Sequence, residues 1–155
     1  MTQPEIRPTI APDLPALQQV LAATELFPAE MLPDMIAPAL AGFNEDSWLT
    51  CLQDGAPVGL CYTAPEELTE GTWNMRAIAV LPAAQGLGLG AALVAAVEAD
   101  LREQGARVLI VDTSGTDDFA PTRAFYTKNG YTEEARVRDF WADGDDKVIF
   151  RKGLG

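Results

Sequence analysis

Histidine is absent from the 155 residues, and this excludes more than any other feature of the chain. Without histidine there is no Ser-His-Asp or Cys-His nucleophilic machinery, and nearly every kind of zinc site is gone too. Catalysis then falls to carboxylates, tyrosine, lysine or backbone groups, and no metal is expected. Cysteine is scarce: Cys51 and Cys61 are the only two, both in expected strands, which suits buried thiols better than a disulfide. No apolar run approaches the ~18 residues of a transmembrane helix, so no membrane partner is expected. The opening MTQPEIRP lacks the basic and apolar regions of a signal peptide, and the expectation is a soluble cytoplasmic chain. Basic residues number 11 against 23 acidic ones, and a net charge of −12 argues against nucleic acid as a partner. That charge is compatible with a cationic acceptor, and equally with a generally solvated acidic surface.

What is present is apolar and well punctuated. With 48% hydrophobic residues, the chain has enough material for one real core and is too short for two ordinary ones. A single domain over residues 1–155 is expected. The most informative stretch is residues 77–101, AIAVLPAAQGLGLGAALVAAVEADL. Ile78, Ala79 and Val80 form a short apolar run of the kind that fills a buried strand, which Leu81-Pro82 ends. Gln85-Gly86-Leu87-Gly88-Leu89-Gly90 then opens a helix whose Leu89, Leu93, Val97 and Leu101 share one face.

A glycine-rich loop entering a helix leaves backbone N–H groups unpaired at the positive end of the helix dipole, where a phosphate can bind. No Lys or Arg lies between Arg76 and Arg102, so an anion here would be held by amides alone. The plainer reading is that the glycines allow close helix–strand packing. A P-loop requires a Lys after its last glycine, and none follows Gly90. Gly86, Gly88 and Ala91 match a dinucleotide fingerprint on paper. Leu81 to Gln85 intervene after the strand, however, and no acidic residue stands at the expected distance beyond it. Gln85-x-x-Gly88-x-Gly90 after Val80-x-Pro82 fits better: it resembles the acyl-CoA signature, (Q/R)-x-x-G-x-(G/A), of the GNAT superfamily of N-acyltransferases.

The rest of the chain reads in order around this segment. Residues 5–9 suit a short edge strand. Seven of the 11 prolines precede residue 39 and cut the next stretch into short helices near residues 13–24 and 29–40. Phe27, Met31, Met35 and Phe43 suit either ordinary core or a substrate pocket. Residues 47–52 and 58–62 flank Asp54-Gly55, a strong hairpin signal. Strands follow at 72–80 and 108–111, a helix at 121–128, and a last hairpin of 131–141 and 147–152 around Asp143-Gly144. The expected fold class is α/β: a twisted, mostly antiparallel mixed sheet of about seven strands with helices on both faces.

Phe125-Tyr126-Thr127-Lys128-Asn129-Gly130-Tyr131 is similar to a second GNAT signature, FYxKxGF, and lies where that family places it. The resemblance therefore covers nearly the whole chain. It implies acetyl-CoA as co-substrate, its pyrophosphate on the amides of Gln85, Gly86, Leu87, Gly88, Leu89, Gly90 and Ala91. Its pantetheine would pair with the backbone of Ile78, Ala79 and Val80, which could also polarise the thioester carbonyl. A primary amine would attack directly, with no covalent enzyme intermediate. Tyr126 matches the family tyrosine that gives a proton to the departing thiolate. A thiol near ~8.5 and a phenol near ~10 are close enough in pKa for that transfer.

The base is less well marked. Family members often carry a Glu on the fourth strand, whereas residues 72–80 hold no carboxylate. Glu67, Glu70, Asp112 and Asp139 remain, and Glu70 is favoured as nearest the strand start. The implied reaction is N-acetylation of a small amine such as an amino acid or polyamine. Residues 26–43 would serve as an apolar lid, with Asp139, Asp143, Asp145 and Asp146 as attraction for a cation. Protein lysines or N-termini are alternative acceptors. A silent CoA-binding sensor is the alternative without turnover, and a homodimer is left open.

Overall fold

The computed structural model describes residues 4–155. Its strands are β1 (Glu5–Pro8), β2 (Ser47–Gln53), β3 (Ala56–Pro65), β4 (Thr72–Val80), β5 (Val108–Ser114), β6 (Thr132–Ala142) and β7 (Asp145–Gly153). The helices are α1 (Leu14–Thr24), α2 (Leu32–Leu40), α3 (Leu89–Glu103) and α4 (Ala120–Lys128). Among the described residues the strands form one sheet in the order β1-β2-β3-β4-β5-β7-β6. β4 and β5 run parallel, while β1/β2, β2/β3, β5/β7 and β6/β7 are antiparallel. This is the mixed α/β class expected from the sequence. The chain divides into two compact units: residues up to Ala64 with Arg76–Asp100, and Pro65–Met75 with Leu101–Gly155. Strand β4 contributes to both.

In the first unit, helical periodicity decides the packing. Leu17, Val20 and Leu21 of α1 and Leu32 and Ile36 of α2 are fully buried against Trp48, Leu60, Tyr62, Ala77 and Ala79 of the sheet. Phe27 and Met35 pack at the margin of this core, whereas Met31 and Phe43 are exposed. Pro38 falls inside α2, which ends two residues later at Leu40. The Asp54-Gly55 hairpin forms as expected, with φ of 52° and 83°, the paired left-handed conformation that matches strand twist. On α3, the stripe Leu89, Leu93, Val97 and Leu101 is buried. One glycine makes its close approach possible. A Cβ on Gly59 would lie 3.0 Å from the Ala79 carbonyl oxygen, 3.3 Å from Val80 and 3.4 Å from Leu93.

In the second unit, Leu109 and Val111 of β5 and Val148 and Phe150 of β7 are buried, while β6 is exposed along its whole length. β5 runs three residues past the apolar run at 108–111. Its ladder with β7 continues from Val108↔Gly153 to Ser114↔Lys147, so pairing carries the polar Asp112, Thr113 and Ser114 into the strand. Cys51 and Cys61 are buried free thiols, and burial pushes the Cys61 thiol up to about 12.

Asp13 ties the start of the chain to the sheet. Its carboxylate accepts from the Arg7 guanidinium at 2.7 and 2.9 Å, from the Ile10 amide at 3.0 Å and from the Thr50 hydroxyl at 3.3 Å. The Arg7 hydrogen bonds hold this carboxyl below its ordinary range. We therefore expect Asp13→Asn to lower stability at pH 7 by ~1–2 kcal/mol. A carboxyl with a depressed folded pKa stabilises above its unfolded value, near ~3.9, and loses that contribution as pH falls through the folded value. Urea unfolding should thus show a wide gap between wild type and variant at pH 7 and a narrower one near pH 3. A gap of equal size at both pH values would contradict this role.

Candidate active site

The loop after β4 is built from its backbone. The Leu81 amide donates to the Val58 carbonyl at 2.8 Å, and the turn Pro82–Ala84 leads out of the strand. The Gln85 side chain reaches back, its Nε2 donating to the Val80 carbonyl at 2.9 Å. Gly86 and Gly88 then adopt φ of +83° and +78°, which L side chains rarely take. A Cβ on either would meet nothing within 4 Å, so their outer side is open. α3 begins at Leu89, slightly later than the glycine run suggested. Ala92 donates to the Gly88 carbonyl at 3.0 Å, so the amides of Leu89, Gly90 and Ala91 precede the first i→i−4 bond. No acidic residue stands in the first turn of α3 to compete for them. With the helix dipole behind it, this turn has the donors and charge an oxyanion requires.

Tyr126 lies in the other unit, on α4, and is 4% exposed. Its ring meets Phe125, Tyr131 and Phe150 at centroid distances of 5.5, 6.0 and 5.5 Å. The residues after it cap the helix: the Tyr131 amide donates to the Tyr126 carbonyl at 3.0 Å, and Gly130 takes φ of +93°. Lys152 Nζ donates to the Asn129 carbonyl at 2.9 Å and closes the turn from β7. The signature thus holds one aromatic ring in place by packing and capping.

The four carboxylates named from the sequence have different surroundings. Glu67 and Glu70 are exposed in the turn before β4, where the Glu70 carbonyl accepts from Arg107 Nε at 2.6 Å. Asp139 Oδ1 accepts the Gly144 amide at 2.8 Å and Asp146 Oδ1 accepts the Asp139 amide at 3.0 Å, so these aspartates help build the final hairpin. Asp145 accepts from the Ser114 hydroxyl. Asp112 stands apart. Its Oδ2 has Asn74 Nδ2 at 3.4 Å and Lys147 Nζ at 3.5 Å, and its Oδ1 is buried with no partner among the described residues. Asn74 also donates to Glu66 at 2.8 Å. Glu66 was not among the sequence candidates, because only the three-residue ladder Thr72↔Val108 to Asn74↔Ile110 brings these groups to one edge.

A second group was also missed. Trp48 and Tyr62 are cross-strand partners in the hairpin register and stack at 4.0 Å with planes 9° apart. The Tyr62 hydroxyl donates to Asp46 at 2.9 Å. Burial first, then the Asp46 carboxylate, raises the phenol above its usual range, while Arg76 acts in the opposite direction. The Asp54-Gly55 turn was the available signal, since it fixes which residues face each other.

Comparison with known proteins gives a consistent result. Residues 14–131 match the model of the "Acetyltransferase (GNAT) family". A GNAT-family crystal structure from Desulfovibrio desulfuricans is 32% identical, superposes with a TM-score of 0.89, and covers 99% of this chain and 100% of that one. An aminoglycoside 6'-N-acetyltransferase solved with coenzyme A has a TM-score of 0.80 at 17% identity, covering 97% of each chain. Mycothiol acetyltransferase of Amycolatopsis mediterranei is 36% identical over 98 residues, a match that takes in 59% of this chain and about a third (32%) of that protein.

Proposed function

Because the chain belongs to the GNAT acetyltransferase family, we propose that it transfers the acetyl group of acetyl-CoA to a small primary amine. The observation that carries this reading is the open turn at Gly86 and Gly88 ahead of the first-turn amides of α3, which have no partner among the described residues. It suits a pyrophosphate in shape and charge, since amides approach without a Cβ in the way. Gln85 holds the turn to the end of β4 through the Val80 carbonyl. Residues 78–80 are the backbone along which the pantetheine arm would lie. Bound acetyl-CoA supplies a thioester, an acyl group already activated toward an amine.

Tyr126 donates the proton that the departing thiolate takes up. Its packing against three aromatic rings supports that role, because a fixed hydroxyl loses little freedom when it acts. The absence of histidine leaves few other proton donors near neutral pH. Glu70, favoured from the sequence as base, is exposed and engages Arg107 through its carbonyl alone among the hydrogen bonds of the described residues. A CoA-binding sensor without turnover has one observation in its favour, the lack of any carboxylate on β4. Release of free CoA that depends on added amine separates the two readings.

Two variants test the parts separately. Gly88→Asp places a negative side chain in the open space where a pyrophosphate would sit, and Asp tolerates a left-handed φ better than most residues. We expect a folded variant whose acetyl-CoA binding is lost by equilibrium titration; unchanged affinity would remove the loop from the site. Tyr126→Phe keeps the ring contacts and deletes the donor. Loss of a general acid predicts a kcat lower by about 100-fold with acetyl-CoA affinity retained, and an unaltered kcat would exclude Tyr126 from the proton transfer.

A further inference from the structure

The final hairpin departs from regular pairing at two places, a one-residue bulge between Glu133 and Ala135 and a longer one between Val137 and Ala142, and the longer one adjoins the under-satisfied carboxylate. β6 pairs with β7 at Val137↔Lys147 and again only at Ala142↔Asp145. Residues 138–141 therefore oppose a single β7 residue, Asp146, whose carboxylate holds the Asp139 amide. Bulges of this kind turn side chains out of the ladder. Here they present Phe140 and Trp141, each 49% exposed and packed edge to face at 4.7 Å. Two anchors tie the pair to β5. Trp141 Nε1 donates to the Thr113 carbonyl at 3.2 Å. Lys147 Nζ sits 4.4 Å from the Phe140 ring centroid and 3.5 Å from Asp112 Oδ2.

A carboxylate offers about four acceptor sites. Asp112 has no partner for Oδ1 and only contacts of 3.4 and 3.5 Å at Oδ2 among the described residues. Such a group lacks short, charge-assisted bonds, and an incoming ammonium would supply them. Its terminal torsion is soft, so the carboxylate can turn to present either oxygen.

We propose that Asp112, Phe140 and Trp141 form the acceptor subsite, and that it takes a primary monoamine carrying an aromatic or apolar body. The inference rests on the acetyltransferase reading and names its substrate class. Asp112 binds the ammonium and receives one of its protons, which passes to water. The freed nitrogen forms its bond to the acyl carbon as the carbon–sulfur bond breaks. The second nitrogen proton replaces the one that the thiolate takes. Phe140 and Trp141 cover the body of the amine and remove exposed aromatic surface from water. Lys147 sets the selectivity: 3.5 Å from Asp112 Oδ2, it repels a second cation on its side of the carboxylate, while Glu66 on the other side is held by Asn74, and this disfavours polyamines.

The test compares phenethylamine, tyramine and hexylamine with spermidine and putrescine, following thiol release from acetyl-CoA. The expected result is a kcat/KM at least tenfold higher for the monoamines. Asp112→Asn, an isosteric change, should lower kcat/KM by about 100-fold with acetyl-CoA affinity unchanged. That deficit should shrink toward pH ~9.5, because an amine with a pKa near ~10 then arrives increasingly deprotonated. A purely structural role would not be relieved by pH. Phe140→Ala should raise KM with kcat nearly retained. Preference for polyamines, or a full-strength Asp112→Asn enzyme, overturns the subsite while leaving the acetyltransferase reading intact. Transfer to no amine at all overturns both.

Discussion

Everything proposed for this protein depends on a few backbone amides at the start of α3 that have no hydrogen-bond partner among the described residues. Two glycines in left-handed conformations turn the chain so that no Cβ stands over those amides. The first helical hydrogen bond begins at Ala92, and no acidic side chain in the first turn competes for the amides before it. An anion held this way requires no lysine or arginine, consistent with a stretch of 25 residues, 77–101, that has neither. The cost is a turn that is poor in side-chain contacts, so its position must come from its neighbours.

Those neighbours are supplied by packing in the first unit. Gly59 lets β3, β4 and α3 approach closely, and any side chain there would meet the Ala79 carbonyl oxygen at 3.0 Å. The fully buried Leu93 and Val97 fix α3 along its length. Gln85 then fastens the turn itself to the last residue of β4. In the second unit the same economy holds for Tyr126, whose ring is fixed by three aromatic contacts and whose carbonyl caps the turn that follows.

Features encoded locally could be read from the sequence. Alternation, the Asp54-Gly55 turn, the leucine stripe and the glycine run each report on residues within a few positions, and the elements formed there. Strand ends were less legible, as with Thr113 and Ser114, because ladder partners from β7 decide where a strand stops. The grouping of Glu66, Asn74, Asp112 and Lys147 was not legible at all. It requires the β4–β5 register and the insertion of β7 beside β5, and neither leaves a local trace. The acidic hairpin shows the converse. Reading its aspartates as attraction for a cation misses that Asp139, Asp145 and Asp146 also accept hydrogen bonds that shape the hairpin and its neighbours.

The most direct test of the amide site is to follow the backbone N–H resonances of residues 86–91 by heteronuclear NMR while titrating acetyl-CoA into the wild-type protein. If pyrophosphate oxygens accept from these amides, Gly86, Gly88, Leu89, Gly90 and Ala91 should show the largest downfield proton shifts, saturating with the binding curve. Binding of acetyl-CoA that leaves those five resonances unmoved would contradict the account.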